Sequence, residues 1–163
     1  MSNDQAGVQH FTPPNRLKAK LGKSLGAFDA SAIARAEAAM AAMSDQFGDW
    51  LIEELAKLEA AHKLISAPAA GEAELEDFYR RAHDLKGLGT TYGYPIISQF
   101  AGSLCKLLDN PEARRLAPRQ ILDGHVAAIA ASVKQKITNS DHPMGRALLI
   151  ELQGQVTKFA QAA

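Results

Sequence analysis

Residues 82 to 93 read AHDLKGLGTTYG: a histidine, a lysine three positions on, a glycine four positions on, and further glycines at 89 and 93. On a helix successive residues are about 100° apart, so Lys86 lies about 60° to one side of His83 and Gly87 about 40° to the other, each within one turn. Arg80 lies one turn in the opposite direction. An imidazole with an ordinary pKa near 6.5 is in good part unprotonated at neutral pH and is then a competent nucleophile. Gly87 removes the side chain that would stand over the ring, Lys86 brings a cation toward any anion attached to it, and Arg80 can assist. A unit charge pair about 4 Å apart is worth up to about 4 kcal/mol at an effective dielectric of about 20, and less after desolvation and screening. Such a charge favours an anionic adduct without trapping it. A lone histidine on a solvated helix needs no function, but Gly87 and Gly89 each cost a helix about 1 kcal/mol relative to alanine, and access beside His83 is the economical reason for both.

The elements that must hold this group are helical. From Ser31, a good cap, apolar residues recur at Ile33, Ala36, Met40, Met43, Phe47, Leu51, Leu55, Leu58 and Ile65, a helical stripe that Gly48 or the pair Ser44 and Asp45 could divide in two. After the connector SAPAAG, a second helix carries Leu75, Phe78, Ala82, Leu85 and Tyr92 on its stripe. His83, between apolar Ala82 and polar Asp84, belongs at the edge of the buried face, reachable from solvent. Gly93 and Pro95 mark the end of that helix. A third carries Ile97, Phe100, Leu104 and Leu107 and stops at the turn DNP; a fourth starts near Pro118; a fifth follows NSDHP. No segment alternates with the period of a half-buried strand, and the links are short. The expected fold is all-α: an up-down four-helix bundle with additional N-terminal and C-terminal helical segments, residues 31–163 forming one domain behind a loosely ordered arm over residues 1–30.

Composition narrows the chemistry. With 163 residues there is room for one core, and 18 Lys and Arg against 18 Asp and Glu give no global field for nucleic acid or an anionic membrane. Cys105 is the single cysteine, so an internal disulfide and a multi-thiolate zinc site are excluded. No apolar signal core and no membrane-length apolar run is present, and the expectation is a cytoplasmic protein with no membrane association. His10, His62, His125 and His142 lack metal-ligand spacing and read as surface or helix-end residues, leaving no metal site. Trp50 and Phe47 read as core or end-cap packing. Gly87, Gly89 and Gly93 miss the dinucleotide-loop spacing and follow no strand, TTYGY has no pore helix beside it, and no G-x-S-x-G elbow exists.

His83, Leu85, Lys86, Gly87 and Gly93 match the H-x-L-K-G motif, with its glycine ten residues after the histidine, of the histidine-containing phosphotransfer (HPt) family, which the chain resembles over about residues 45 to 109. Ala82 and the following helix, PIISQFAGSLCKLLD, also look like that family. The resemblance implies a four-helix bundle whose His83 accepts a phosphoryl group from an aspartyl phosphate on a receiver domain and passes it to another receiver. On that analogy Lys86 is the supporting charge, Gly87 the clearance for phosphate and partner, and Gly93 the helix end. The chain would then be no enzyme but a phosphoryl carrier that binds no cofactor, its partners being receiver domains of response regulators or hybrid histidine kinases, which bring the Mg2+. The sequence departs from the family in placing Cys105 where many members have Gln or Glu; Gln99, Ser103 or a water would have to stand in. Gly89, Thr90 and Thr91 also replace more usual small residues. Tyr79, Thr90, Ile96 and Ile97 are the expected partner contacts and a monomer the expected state. The rival reading is a non-transferring helical adaptor that binds through the first or last helix.

Overall fold

The computed structural model describes residues 30–68 and 70–162. Among them lie six helices and no strand: α1 (Ala30–Ile65), α2 (Glu72–Thr91), α3 (Pro95–Leu107), α4 (Pro111–Leu116), α5 (Arg119–Lys134) and α6 (Pro143–Ala162). The fold is all-α. The chain divides into two compact units, Met1–Met40 and Ala41–Ala163. Of the first, only the opening turns of α1 are described, so the expected arm over residues 1–30 lies outside the described residues except for Ala30. No described helix is long and apolar enough to cross a membrane.

Gly48 and the pair Ser44 and Asp45 do not divide α1, which runs unbroken for 36 residues. No atom lies within 4 Å of where a Gly48 Cβ would stand, so the glycine costs only backbone freedom, about 1 kcal/mol. Leu51, Leu55, Leu58, Ala61 and Ile65, all buried at three- and four-residue spacing, hold the turns that follow. The apolar stripe is buried only from Leu51 onward, because Ile33, Met40 and Met43 are exposed.

α2 begins at Gly71, whose N–H donates to the Glu74 carboxylate at 2.8 Å. It ends at Gly93, which takes φ +81°, the left-handed conformation glycine adopts without steric cost. Its N–H donates to the Thr90 carbonyl at 3.1 Å and that of Tyr94 to the Gly89 carbonyl at 2.7 Å, the paired bonds of a Schellman turn. Pro95 then opens α3 at once. The DNP turn proves to be the start of a further helix, α4: the Asn110 side chain accepts the Ala113 N–H at 2.7 Å, with Pro111 in the first turn. Pro118 sits one residue earlier than expected, capping α5 rather than opening it, and its carbonyl accepts the N–H groups of Ile121 and Leu122.

α3 is the centre of the core. It packs against α2, α5 and α6, which is why Ile96, Ile97, Phe100, Ala101, Leu104 and Leu107 are all buried rather than a single stripe of them. α1 contributes Leu51 and Leu58, α2 Phe78 and Leu85, α5 Ile129, and α6 Leu149 and Leu152 to the same cluster.

One histidine expected at the surface lies in this core. His125 is fully buried; its Nδ1 is 2.7 Å from the Ile121 carbonyl and its Nε2 3.0 Å from the Ser103 hydroxyl. A carbonyl only accepts, so Nδ1 carries the proton and Nε2 accepts from Ser103: a neutral imidazole with both nitrogens satisfied. Burial lowers its pKa from the ordinary 6.5, opposed by the Ile121 hydrogen bond. Because the folded value lies below the unfolded one, the unfolded chain binds the proton more readily, and stability is complete above pH 6.5 and falls as pH drops through it toward the lowered folded value. Urea unfolding between pH 8 and 5 is expected to show a loss approaching about 1.4 kcal/mol per pH unit from this group. Subtracting the curve for His125→Leu isolates it, and an identical pH slope in that variant would exclude the assignment.

Candidate functional site

α2 is tied down along one side by Phe78, Ala82, Leu85 and Gly89, all buried, and this turns His83, Lys86 and Gly87 outward. His83 is exposed, and among the described residues its ring nitrogens have no hydrogen-bond partner. Its aromatic contact is Tyr79, one turn earlier, with ring centroids 6.3 Å apart and planes tilted by 42°. Between α1 and α2 an open hollow of about 450 Å³ is lined by Glu54, Lys57, Arg81, His83, Asp84 and Gly87. The ring therefore stands at the edge of an open depression walled largely by charged side chains.

The two internal glycines of α2 have different reasons. Nothing lies within 4 Å of where a Gly87 Cβ would be, so no internal packing requires glycine there, and the space beside His83 is open. A Cβ on Gly89 would stand 2.7 Å from Ser98 Oγ, 2.8 Å from Ser98 N and 3.1 Å from the Tyr94 carbonyl oxygen. Gly89 is where α3 meets α2, so close packing and not access requires the glycine there, while the flank at Gly87 is open.

Lys86 is exposed and leans toward α3, its Cγ 3.9 Å from where a Gly102 Cβ would be. Arg80 is turned the other way, with Nη2 2.5 Å from Asp77 Oδ1, and Arg81 reaches the same oxygen at 3.3 Å. Thr90 is exposed, yet its hydroxyl donates to Ser98 Oγ at 3.0 Å and its N–H to the same oxygen at 2.8 Å, which fastens the last turn of α2 to α3. Ile96 and Ile97, expected at a docking rim, are fully buried: α3 presents them to the core, and Ile96 packs at Gly145 of α6. Tyr79 is partly buried and lines a second hollow with Lys86, Gln99, Gly102 and Cys105.

The side of α3 facing the site offers little polar support. Cys105 is buried, 6 % exposed, and burial pushes its thiol up to about 11 against the opposing pull of Lys86. It is a neutral, inert thiol. Gln99 donates to Ser140 at 3.2 Å and Ser103 serves His125, so neither is directed to His83. No family model matches the chain, and neither a curated protein nor a solved structure does.

The charge expected from Arg80 is thus committed to Asp77, while Lys86 and Gly87 stand where the helical spacing puts them. A residue outside the motif joins the site through Tyr79: the Arg114 guanidinium of α4 lies 4.1 Å from the centre of its ring. Nothing in the α2 pattern signals Arg114; only the cap-and-proline pair Asn110 and Pro111 marks the helix that carries it. Among the described residues no group of three or more His, Cys, Asp or Glu is placed to hold a metal ion. At the far end of α2, Phe47 stacks on Tyr92 at 5.3 Å with Trp50 tilted against both, the end-cap role read from their positions. Chemically, the arrangement is an accessible nucleophile with clearance on one flank and a flexible cation on the other.

Proposed function

We propose that this chain is a histidine phosphotransfer protein, in which His83 carries a phosphoryl group between two receiver domains. The observation that carries the reading is the open Gly87 beside an exposed imidazole: a helix glycine that no internal contact requires, placed where an incoming phosphoryl group and its carrier need room. The transfer is a displacement at phosphorus. An unprotonated ring nitrogen of His83 attacks the aspartyl phosphate, the P–O bond to the receiver carboxylate breaks, and the carboxylate leaves with that electron pair. The other ring nitrogen keeps its proton. In the second half a new carboxylate oxygen attacks, and the N–P pair returns to the imidazole. Lys86 offsets the charge of the adduct, and the Mg2+ belongs to the receiver.

A second reading, a helical adaptor without transfer, is favoured by the exposed Ile33, Met40 and Met43 of α1. Incubation of the full chain with a panel of phosphorylated receiver domains and Mg2+ tests the first reading. The expected result is an acid-labile, base-stable label on the peptide that contains His83. Label on another peptide, or none across the panel, overturns it.

A further inference from the structure

Among the described residues Arg114 is the one arginine in the core, 9 % exposed, and a buried guanidinium is tolerated only with its donors satisfied. Nε donates to the Leu108 carbonyl at 2.6 Å, Nη1 pairs with the Glu76 carboxylate of α2, and among the described residues no fully buried side-chain nitrogen is left without a partner. Its third contact is with the face of Tyr79, 4.1 Å from the ring centre. Glu76 and Tyr79 are three residues apart on one side of α2, so a single side chain grips two successive turns just ahead of His83. Tyr79 then meets the His83 ring at 6.3 Å, within the range in which aromatic pairs hold a preferred geometry.

Four other polar groups near this end of the bundle are engaged elsewhere or buried. Cys105 is buried and neutral, Gln99 is bonded to Ser140, Ser103 to His125 and Arg80 to Asp77. A nucleophile must be held near its attack geometry, and a freely rotating exposed ring forfeits part of its rate. We infer that Arg114 and Tyr79 form a positioning pair: Arg114 locks the Tyr79 ring, and Tyr79 restricts the rotation of the His83 imidazole. This rests on the reading of His83 as the phosphoryl acceptor. It gives α4 a purpose in the site, that of delivering one cation to the ring that steadies the acceptor.

Two readouts on the full chain test it. The first is the His83 ring signal in side-chain NMR spectra, identified by its loss in His83→Gln. The second is the rate of phosphoryl acceptance from phosphoramidate, where the ring nitrogen forms the N–P bond, the donor P–N bond breaks and ammonia leaves. Tyr79→Leu and Arg114→Lys are each expected to shift the ring signal in the same direction and to slow acceptance about threefold to tenfold, whereas Tyr79→Phe stays like the parent. The double variant Tyr79→Leu with Arg114→Lys is expected to be no slower than Tyr79→Leu alone, since Arg114 acts through the tyrosine. A merely structural Arg114 would give additive losses, or a ring signal indifferent to Tyr79→Leu, and either result overturns the inference. Should Arg114→Lys fail to fold, the comparison of Tyr79→Leu with Tyr79→Phe still decides it. A parent chain that takes no phosphoryl group yet shows the coupled ring signals overturns the acceptor reading and leaves the positioning pair standing.

Discussion

His83→Gln is expected to reduce phosphoryl acceptance from a receiver domain by more than about 100-fold while leaving the fold intact. An amide nitrogen has no available lone pair, so the variant loses the nucleophile and not merely its rate. The cost in stability should stay within about 0.5 kcal/mol, because His83 is exposed, makes no hydrogen bond among the described residues, and meets Tyr79 at a ring that Arg114 also holds. That separation discriminates between the two readings. A transfer protein keeps its thermal midpoint and loses its label, whereas an adaptor binds its partner equally well with Gln at 83. Retention of label at the parent level in His83→Gln would mean that another residue accepts the group.

How far this site could be read from residue order differs from helix to helix. Phe78, Ala82 and Leu85 recur at spacings of four and three, and that stripe alone places His83 outside, where it stands. The same stripe continues to Gly89, and this signal assigns it to packing rather than access; Gly87, two residues earlier, falls on the opposite side by about 160° of helical rotation. α4 has only six residues, too few for any periodicity, so Arg114 and its contact with Tyr79 could not be anticipated. His125 shows a different limit. The apolar residues of α5 at 122, 126, 129 and 133 define one stripe, but Ile121, His125, Ala128 and Ser132 are buried beside it. α5 packs against both α3 and α6, and which polar residue is covered depends on those neighbours rather than on α5 itself. The continuity of α1 past Gly48 has the same character, since the buried leucines from Leu51 onward hold the helix whatever the propensity of one glycine.

Ala substitution at the two glycines of α2 is expected to move stability in opposite directions. At Gly87 a methyl group enters open space, and the gain in helix propensity and the loss of unfolded-state freedom should stabilise the chain by about 0.4–1 kcal/mol. At Gly89 the same methyl group meets Ser98 Oγ at 2.7 Å, Ser98 N at 2.8 Å and the Tyr94 carbonyl at 3.1 Å. A hydroxyl could rotate away, but the other two atoms are backbone at the start of α3, and moving them also disturbs the Thr90 bonds to Ser98. Overpacking of this kind costs about 1–3 kcal/mol, enough to outweigh the propensity gain. Thermal unfolding should therefore show Gly87→Ala about 1–4 °C above the parent and Gly89→Ala several degrees below it. A larger residue separates the roles further: Gly87→Leu should leave folding intact and slow transfer from a receiver domain, because the added bulk stands only in the path of the partner. Equal destabilisation by alanine at both positions would show that Gly87 is also required by packing, and the open flank beside His83 would lose its functional meaning.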